Sequence, residues 1–190
     1  MALPARKQYY TFADALEWGE DERVEIIDGE VVMMAPPLRE HQRILMALSR
    51  QIANFLDGKR CEVYPAPFGV RPFEEEGDRP EDVDTMVEPD ITVVCDPEKL
   101  DKYGCKGAPD FIIEILSPST RRMDLSVKYR LYQRAGVREY WIVDPDTKTV
   151  QVFRLEDGRY DAPDVYTAGA VVPCGIWEGF GIDLTTIFTE

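Results

Sequence analysis

A single glutamate interrupts an otherwise apolar run, Phe111-Ile112-Ile113-Glu114-Ile115-Leu116. Side chains of a strand point alternately to opposite faces. Apolar residues at both phases therefore require cover on both sides of the sheet. Ile91-Thr92-Val93-Val94-Cys95 has the same character, so two central strands of a covered sheet are expected. Residues 122–135 carry a helical period ended by Gly136, and Glu139-Tyr140-Trp141-Ile142-Val143 forms the next strand. A strand, a short helix and a strand predict a parallel crossover between 111–116 and 139–143. Thr149–Arg154 returns from the turn at 144–148.

The N-terminal half adds smaller elements. Thr11 is placed as the N-cap of a helix running to about Trp18. Two apolar-rich strands, 23–27 and 30–34, flank Asp28-Gly29 and read as a hairpin. Residues 39–57 read as an amphipathic helix, with Ile44, Leu45, Leu48, Ile52, Phe55 and Leu56 at helical spacing. Cys61–Val63 and Phe68–Phe73 are strand pieces broken by Pro65 and Pro67, and 74–88 reads as a solvated acidic loop. The tail holds scattered strand-like pieces. No repeat or linker divides the chain, so residues 1–190 are read as one domain of α/β (α+β) type, a mixed β-sheet core flanked by helices.

Glu114 is the most informative residue for chemistry. A carboxylate in an apolar strand is costly unless it is paired or binds a cation; an arginine tied to it would satisfy the same need. Asp90 opens the preceding strand in Pro89-Asp90-Ile91. Pro-Asp is also an ordinary turn pair, but on neighbouring strands the two acids can converge on one hard cation. Oxygen ligands with few histidines suit Mg²⁺ or Mn²⁺. Lys128 follows Leu125 by three residues and precedes Tyr132 by four, which places it beside the inward stripe of its helix. It either snorkels on a solvated face or reaches back to the sheet. Glu25 shares a strand face with Arg23, so a salt bridge between them is the default. His41 shares the inward face of its helix with Ile44 and Leu45 and is either a satisfied, partly buried histidine or a lining residue of the same cleft.

Charge opposes a nucleic-acid partner at first sight. The formal net charge is -14, whereas phosphate binding rewards local positive charge. Distribution matters more than the sum. Residues 74–90 hold nine acids against one base, while 117–148 hold seven bases against four acids. One histidine and four cysteines without a CxxC pair make a structural zinc site unexpected. The cysteines are read as free buried thiols of a reducing compartment. No apolar run is long enough for a membrane span, and Met1–Lys7 lacks a signal-type apolar stretch, so a cytoplasmic protein is expected.

The run from Pro109 through Glu114 to Thr120, then Lys128, then Gly136-Val137-Arg138-Glu139-Tyr140-Trp141-Ile142-Val143-Asp144-Pro145, resembles the Uma-type (DUF820-like) restriction endonuclease family of the PD-(D/E)XK nuclease superfamily. Glu25-Ile26-Ile27-Asp28-Gly29-Glu30 and Pro89-Asp90-Ile91 fit the same family, and the resemblance covers roughly residues 8–188. It implies a restriction-endonuclease-like mixed sheet, dependence on Mg²⁺ or Mn²⁺, and hydrolysis of phosphodiester bonds in DNA. Asp90 and Glu114 match the two acids of the motif and would hold the metal with the Ile115 carbonyl. The motif lysine should stand two residues after the second acid, where this chain has Leu116. The resemblance implies that Lys128 on the following helix replaces it, and that Glu25 is a further acid of the catalytic set. Arg121 and Arg122, in the basic helix, would contact phosphates. Trp141, Trp177 and Phe180 leave room for a homodimer, which would suit double-strand cutting. Two alternatives stand beside this reading. One is a catalytically inactive relative acting as an acidic protein-interaction or DNA-mimic module, and the other is a hydrolase of some different phosphodiester.

Overall fold

The computed structural model describes residues 8–18 and 23–189. The Met1–Lys7 segment, on which the leader argument rested, lies outside them. Helix α1 (Phe12–Glu17) starts at Thr11, whose backbone N–H donates to Asp14. Strands β1 (Val24–Ile27) and β2 (Glu30–Met33) form the expected hairpin. Its turn takes positive φ at both Asp28 and Gly29, the backbone that two-residue hairpin turns require. Helix α2 (Arg39–Leu56) buries Ile44, Leu45, Leu48, Ile52 and Leu56 of the residues its spacing marks, with Phe55 half-buried.

Strand β3 (Glu62–Pro65) runs on through Pro65, past the expected piece 61–63, and β4 (Val70–Arg71) is shorter than the expected 68–73. After β5 (Ile91–Val94), a small three-stranded sheet orders β4, β7 (Gly104–Lys106) and β6 (Leu100–Asp101). Strand β8 (Phe111–Ile115) then leads through a helical crossover to β9 (Glu139–Asp144) and β10 (Thr149–Glu156). The chain ends with β11 (Arg159–Tyr160), β12 (Asp164–Thr167), β13 (Val171–Pro173) and β14 (Gly181–Asp183). The main sheet runs in the order β11-β10-β9-β8-β5-β3, with β12 also on β10. Strands β8 and β9 are parallel, and their neighbours on either side pair antiparallel.

The sheet is covered on both faces, as the apolar runs require. Phe111, Ile113 and Ile115 of β8 pack with α2 and with Val172, Ile182 and Leu184 of the tail. Ile112 and Leu116 face the other way, toward Leu131 and Tyr132 of the crossover. Glu114 shares this second phase, so it points at the crossover helix.

Four expectations change. The 122–135 helix is not uniform: Met123–Lys128 is a π-helical segment, followed by α3 (Tyr129–Ala135), which Gly136 ends in the left-handed conformation. The acidic loop is solvated only in part, because Val83, Thr85 and Val87 are buried and 86–87 bridges to Ile26 and Val70. The cysteines are not all free. β3 pairs Glu62 with Val94 of β5, so the same register sets Cys61 opposite Cys95, and these two form a disulfide. Cys105 and Cys174 remain free thiols, which burial pushes up to about 12. Two of the four cysteines are therefore oxidised, contrary to the expected free thiols of a reducing compartment. Finally, Trp141 is fully buried, while Trp177 and Phe180 pack against Phe55. The aromatics that left room for a dimer are used within the fold. Among the described residues no helix is long and apolar enough to cross a membrane.

Candidate active site

Strand register builds the site. β5 pairs Ile91 with Ile113 of β8, so Asp90, one residue earlier, falls opposite Glu114, one residue later. The Asp90 backbone N–H lies 3.4 Å from Glu114 Oε2, and the Ile115 N–H donates to Asp90 Oδ2 at 2.7 Å. His41, near the start of α2, places Nε2 3.1 Å from that same Asp90 oxygen. The antiparallel step therefore fixes the two acids that the sequence only set 24 residues apart.

Lys128 comes down on this pair from the π-helical segment. Its ammonium lies 2.8 Å from Glu25 Oε1 and 2.9 Å from Glu114 Oε1, with Asp124 Oδ1 at 3.9 Å. Tyr132 donates its hydroxyl to Glu114 at 2.7 Å. Lys128 is 3% exposed, so snorkelling is excluded. Nor is it beside the inward stripe: Asp124, Lys128, Leu131 and Tyr132 are that stripe, and Leu125 is exposed. These four stand at i, i+4, i+7 and i+8, the spacing of one helix face, and Leu125 lies off it. The expected Glu25–Arg23 pair is also replaced. Glu25 turns inward to Lys128 and to the Glu88 N–H, while Arg23 pairs with the Glu88 side chain at 3.0 Å.

These groups open on a cavity of about 320 Å³ lined by Asp90, Glu114, Asp124, Lys128 and His41 among others. Three carboxylates, those of Glu25, Glu114 and Asp124, thus share the Lys128 ammonium, with Asp90 beside them on His41. Burial holds the Glu114 carboxyl well above the usual range; Lys128 pulls it down, while Asp124, Asp90 and Glu25 push it up further. Burial alone would lower Lys128, but Glu114, Glu25 and Asp124 outweigh it and keep the ammonium charged. Burial also lowers His41, and the hydrogen bond and charge of Asp90 more than reverse this.

Arg121 and Arg122 are not brought to the cleft. Arg121 grips Asp144 through two contacts at 2.9 and 3.0 Å and reaches Asp146 at 3.2 Å. Arg122 is exposed, and neither lines the cavity. Arg134 and Arg138 are likewise paired, with Asp28 and Asp110. Sequence reasoning missed Asp124 and Tyr132. Asp124 stands four residues before Lys128, a spacing that puts both on one helix face, and that signal was available.

Among the described residues no three His, Cys, Asp or Glu side chains stand ready as a complete metal cage. The cleft nevertheless fits a divalent cation. Its donors are hard oxygens, its negative charge exceeds its positive charge, and Mg²⁺ is commonly held by only one or two carboxylates plus waters and substrate phosphate.

The mixed sheet with its crossover helix defines a restriction-endonuclease-like fold, and the Asp90–Glu114 pair, with Lys128 on Glu114, sits on it. The chain belongs to the Uma2 family, described as "Putative restriction endonuclease", whose model matches residues 8–185. It is similar to a crystal structure described as that of "a putative nuclease belonging to DUF820" from Anabaena variabilis ATCC 29413, with a TM-score of 0.74 and 21% identity over 94% of this chain and 97% of that one. Two proteins of Synechocystis sp., both described as uncharacterized, are also related. Slr1290 is 27% identical over 75% of this chain and 72% of its own length. Sll1609 is 24% identical over 76% of this chain and 80% of its own.

Proposed function

We infer that this chain is a divalent-metal-dependent endonuclease that hydrolyses phosphodiester bonds in DNA. The observation that supports this best is the register pair Asp90–Glu114, which opens on the cavity with a surplus of buried carboxylate and Lys128 against it. Asp90 and Glu114 would hold Mg²⁺ or Mn²⁺ with the Ile115 carbonyl. Such a cation supplies a water of lowered pKa and polarises the phosphate.

The protein's own groups do the positioning. The Ile115 N–H and His41 fix the Asp90 carboxylate, and the Tyr132 hydroxyl fixes Glu114. Lys128 spends two of its three N–H donors on Glu25 and Glu114. The third is left to orient water and to stabilise charge developing on the phosphate. Glu25 keeps the ammonium charged and aimed.

Alanine at Asp90 or at Glu114 should abolish Mg²⁺-dependent nicking of plasmid DNA, whereas full activity in both variants rejects the proposal. The paired arginines of the crossover and the net charge of -14 favour one second reading, an acidic module that captures basic proteins. Retention on a DNA column with steep salt dependence supports the nuclease. Selective capture of basic proteins supports the module.

A further inference from the structure

We propose that Asp124 is a further catalytic residue: its Oδ1 and the Lys128 ammonium cradle the attacking water at the floor of the cleft, and Asp124 takes that water's proton. The role rests on the nuclease reading above.

Three observations place the water there. Asp124 is 1% exposed and lines the cavity. Its Oδ1 has no hydrogen-bond partner among the described residues, although a buried carboxylate oxygen without a donor is costly. Lys128 Nζ stands 3.9 Å from it, too far for a direct bond. Two water hydrogen bonds of about 2.8 Å at a tetrahedral angle span roughly 4.5 Å, so one water bridges this gap with modest narrowing. The orphaned oxygen and the third ammonium N–H are the two partners such a water needs, at the floor of the cavity that Asp124 and Lys128 line.

The other acids are already committed. Asp90 Oδ2 receives the Ile115 N–H and His41, and Glu114 Oε1 receives Lys128 and Tyr132. Thr120 steadies the Asp124 carboxylate. Burial raises Asp124 to about 6, against the pull of Lys128 and Thr120 and with the push of Asp90 and Glu25. Glu114 on β8 and His41 on α2 face the same space. A carboxylate poised near neutrality can accept a proton at working pH.

In the step itself, the water oxygen forms a new P–O bond as its proton passes to Asp124 Oδ1. The P–O bond to the leaving oxygen breaks with its electron pair, and that oxygen is protonated from solvent. Asp124 then returns its proton to solvent.

Two measurements test this. A crystal structure of the metal-free protein should show an ordered water within hydrogen-bond distance of both Asp124 Oδ1 and Lys128 Nζ. A dry gap overturns the proposal whether or not the protein cuts DNA. Asp124→Asn should keep Mn²⁺ binding by calorimetry and DNA binding by gel shift, cut at least about 100-fold more slowly, and lose the acid limb of the rate profile near pH 6. Wild-type rate and profile in this variant overturn the role, as does loss of Mn²⁺ binding, which would make Asp124 a ligand. If wild type itself does not cleave, the nuclease reading fails and the bridging water alone decides. The same crystallographic result decides if the variant does not fold.

Discussion

Replacing Lys128 with methionine removes the one ammonium that three buried acids share. Methionine keeps most of the length and volume, so packing changes little and charge changes most. Lys128, Glu25 and Glu114 are 3, 2 and 3% exposed, and the ammonium contacts lie at 2.8 and 2.9 Å. Breaking a buried pair by removing one partner costs about 3–5 kcal/mol, because the remaining charge is left uncompensated. Tyr132 and the Glu88 N–H still donate to the orphaned carboxylates, which places the expected loss toward the lower end. That loss should depend on pH. Glu114 already sits well above the usual carboxylate range, and without the lysine it rises further and can take a proton instead. Each pH unit below its new pKa recovers about 1.4 kcal/mol. Urea unfolding of Lys128→Met should therefore show a loss of about 3 kcal/mol at pH 8 that shrinks markedly by pH 5, at unchanged m. A loss below about 1 kcal/mol at pH 8, or one equal at both pH values, refutes the reasoning. If the cleft also takes a divalent cation, Mn²⁺ should raise the variant's midpoint more than it raises wild type.

Asp124 gives a stability prediction of opposite sign. Its folded pKa of about 6 lies above the ordinary 3.8, so its contribution favours folding at low pH and is lost as pH rises through that window. The penalty at pH 7 is about 3 kcal/mol, and Asp124→Asn should be more stable than wild type by up to that amount above pH 6. Equal or lower stability in urea at pH 7.5 would show that the carboxylate is better compensated than its unpartnered oxygen implies. The Cys61–Cys95 disulfide closes a separation of 34 residues, which loop entropy values at about 3–4 kcal/mol. Dithiothreitol should lower the thermal midpoint accordingly, and an unchanged midpoint in fully reduced protein counts against that stabilisation.

Amphipathic period and apolar runs were enough to place α2, the hairpin and the central strands, because those signals arise from burial that each segment demands on its own. The parallel step from β8 to β9 followed for the same reason, since a short helix between two covered strands leaves few connections. Asp90 and Glu114 could be singled out individually from turn chemistry and from the cost of a charge in an apolar strand. Their meeting was expected only on the condition that the two strands are neighbours, because antiparallel register is set by pairing between segments. The same holds for Cys61 and Cys95, which only the β3–β5 register sets opposite one another. Arg121 read as a phosphate contact while its partner, Asp144, lay elsewhere in the chain.

By itself, the sequence determined that a covered mixed sheet must form and that a carboxylate at position 114 must be compensated, since both follow from the free energy of burying a residue in a strand. Only the tertiary structure decided what compensates it. The crossover carries Lys128 and Asp124 down onto β8, β1 brings Glu25 to the same ammonium, and Asp124 keeps an oxygen with no hydrogen-bond partner among the described residues. Those contacts depend on the relative placement of four elements, and no local pattern along the chain encodes a distance between them.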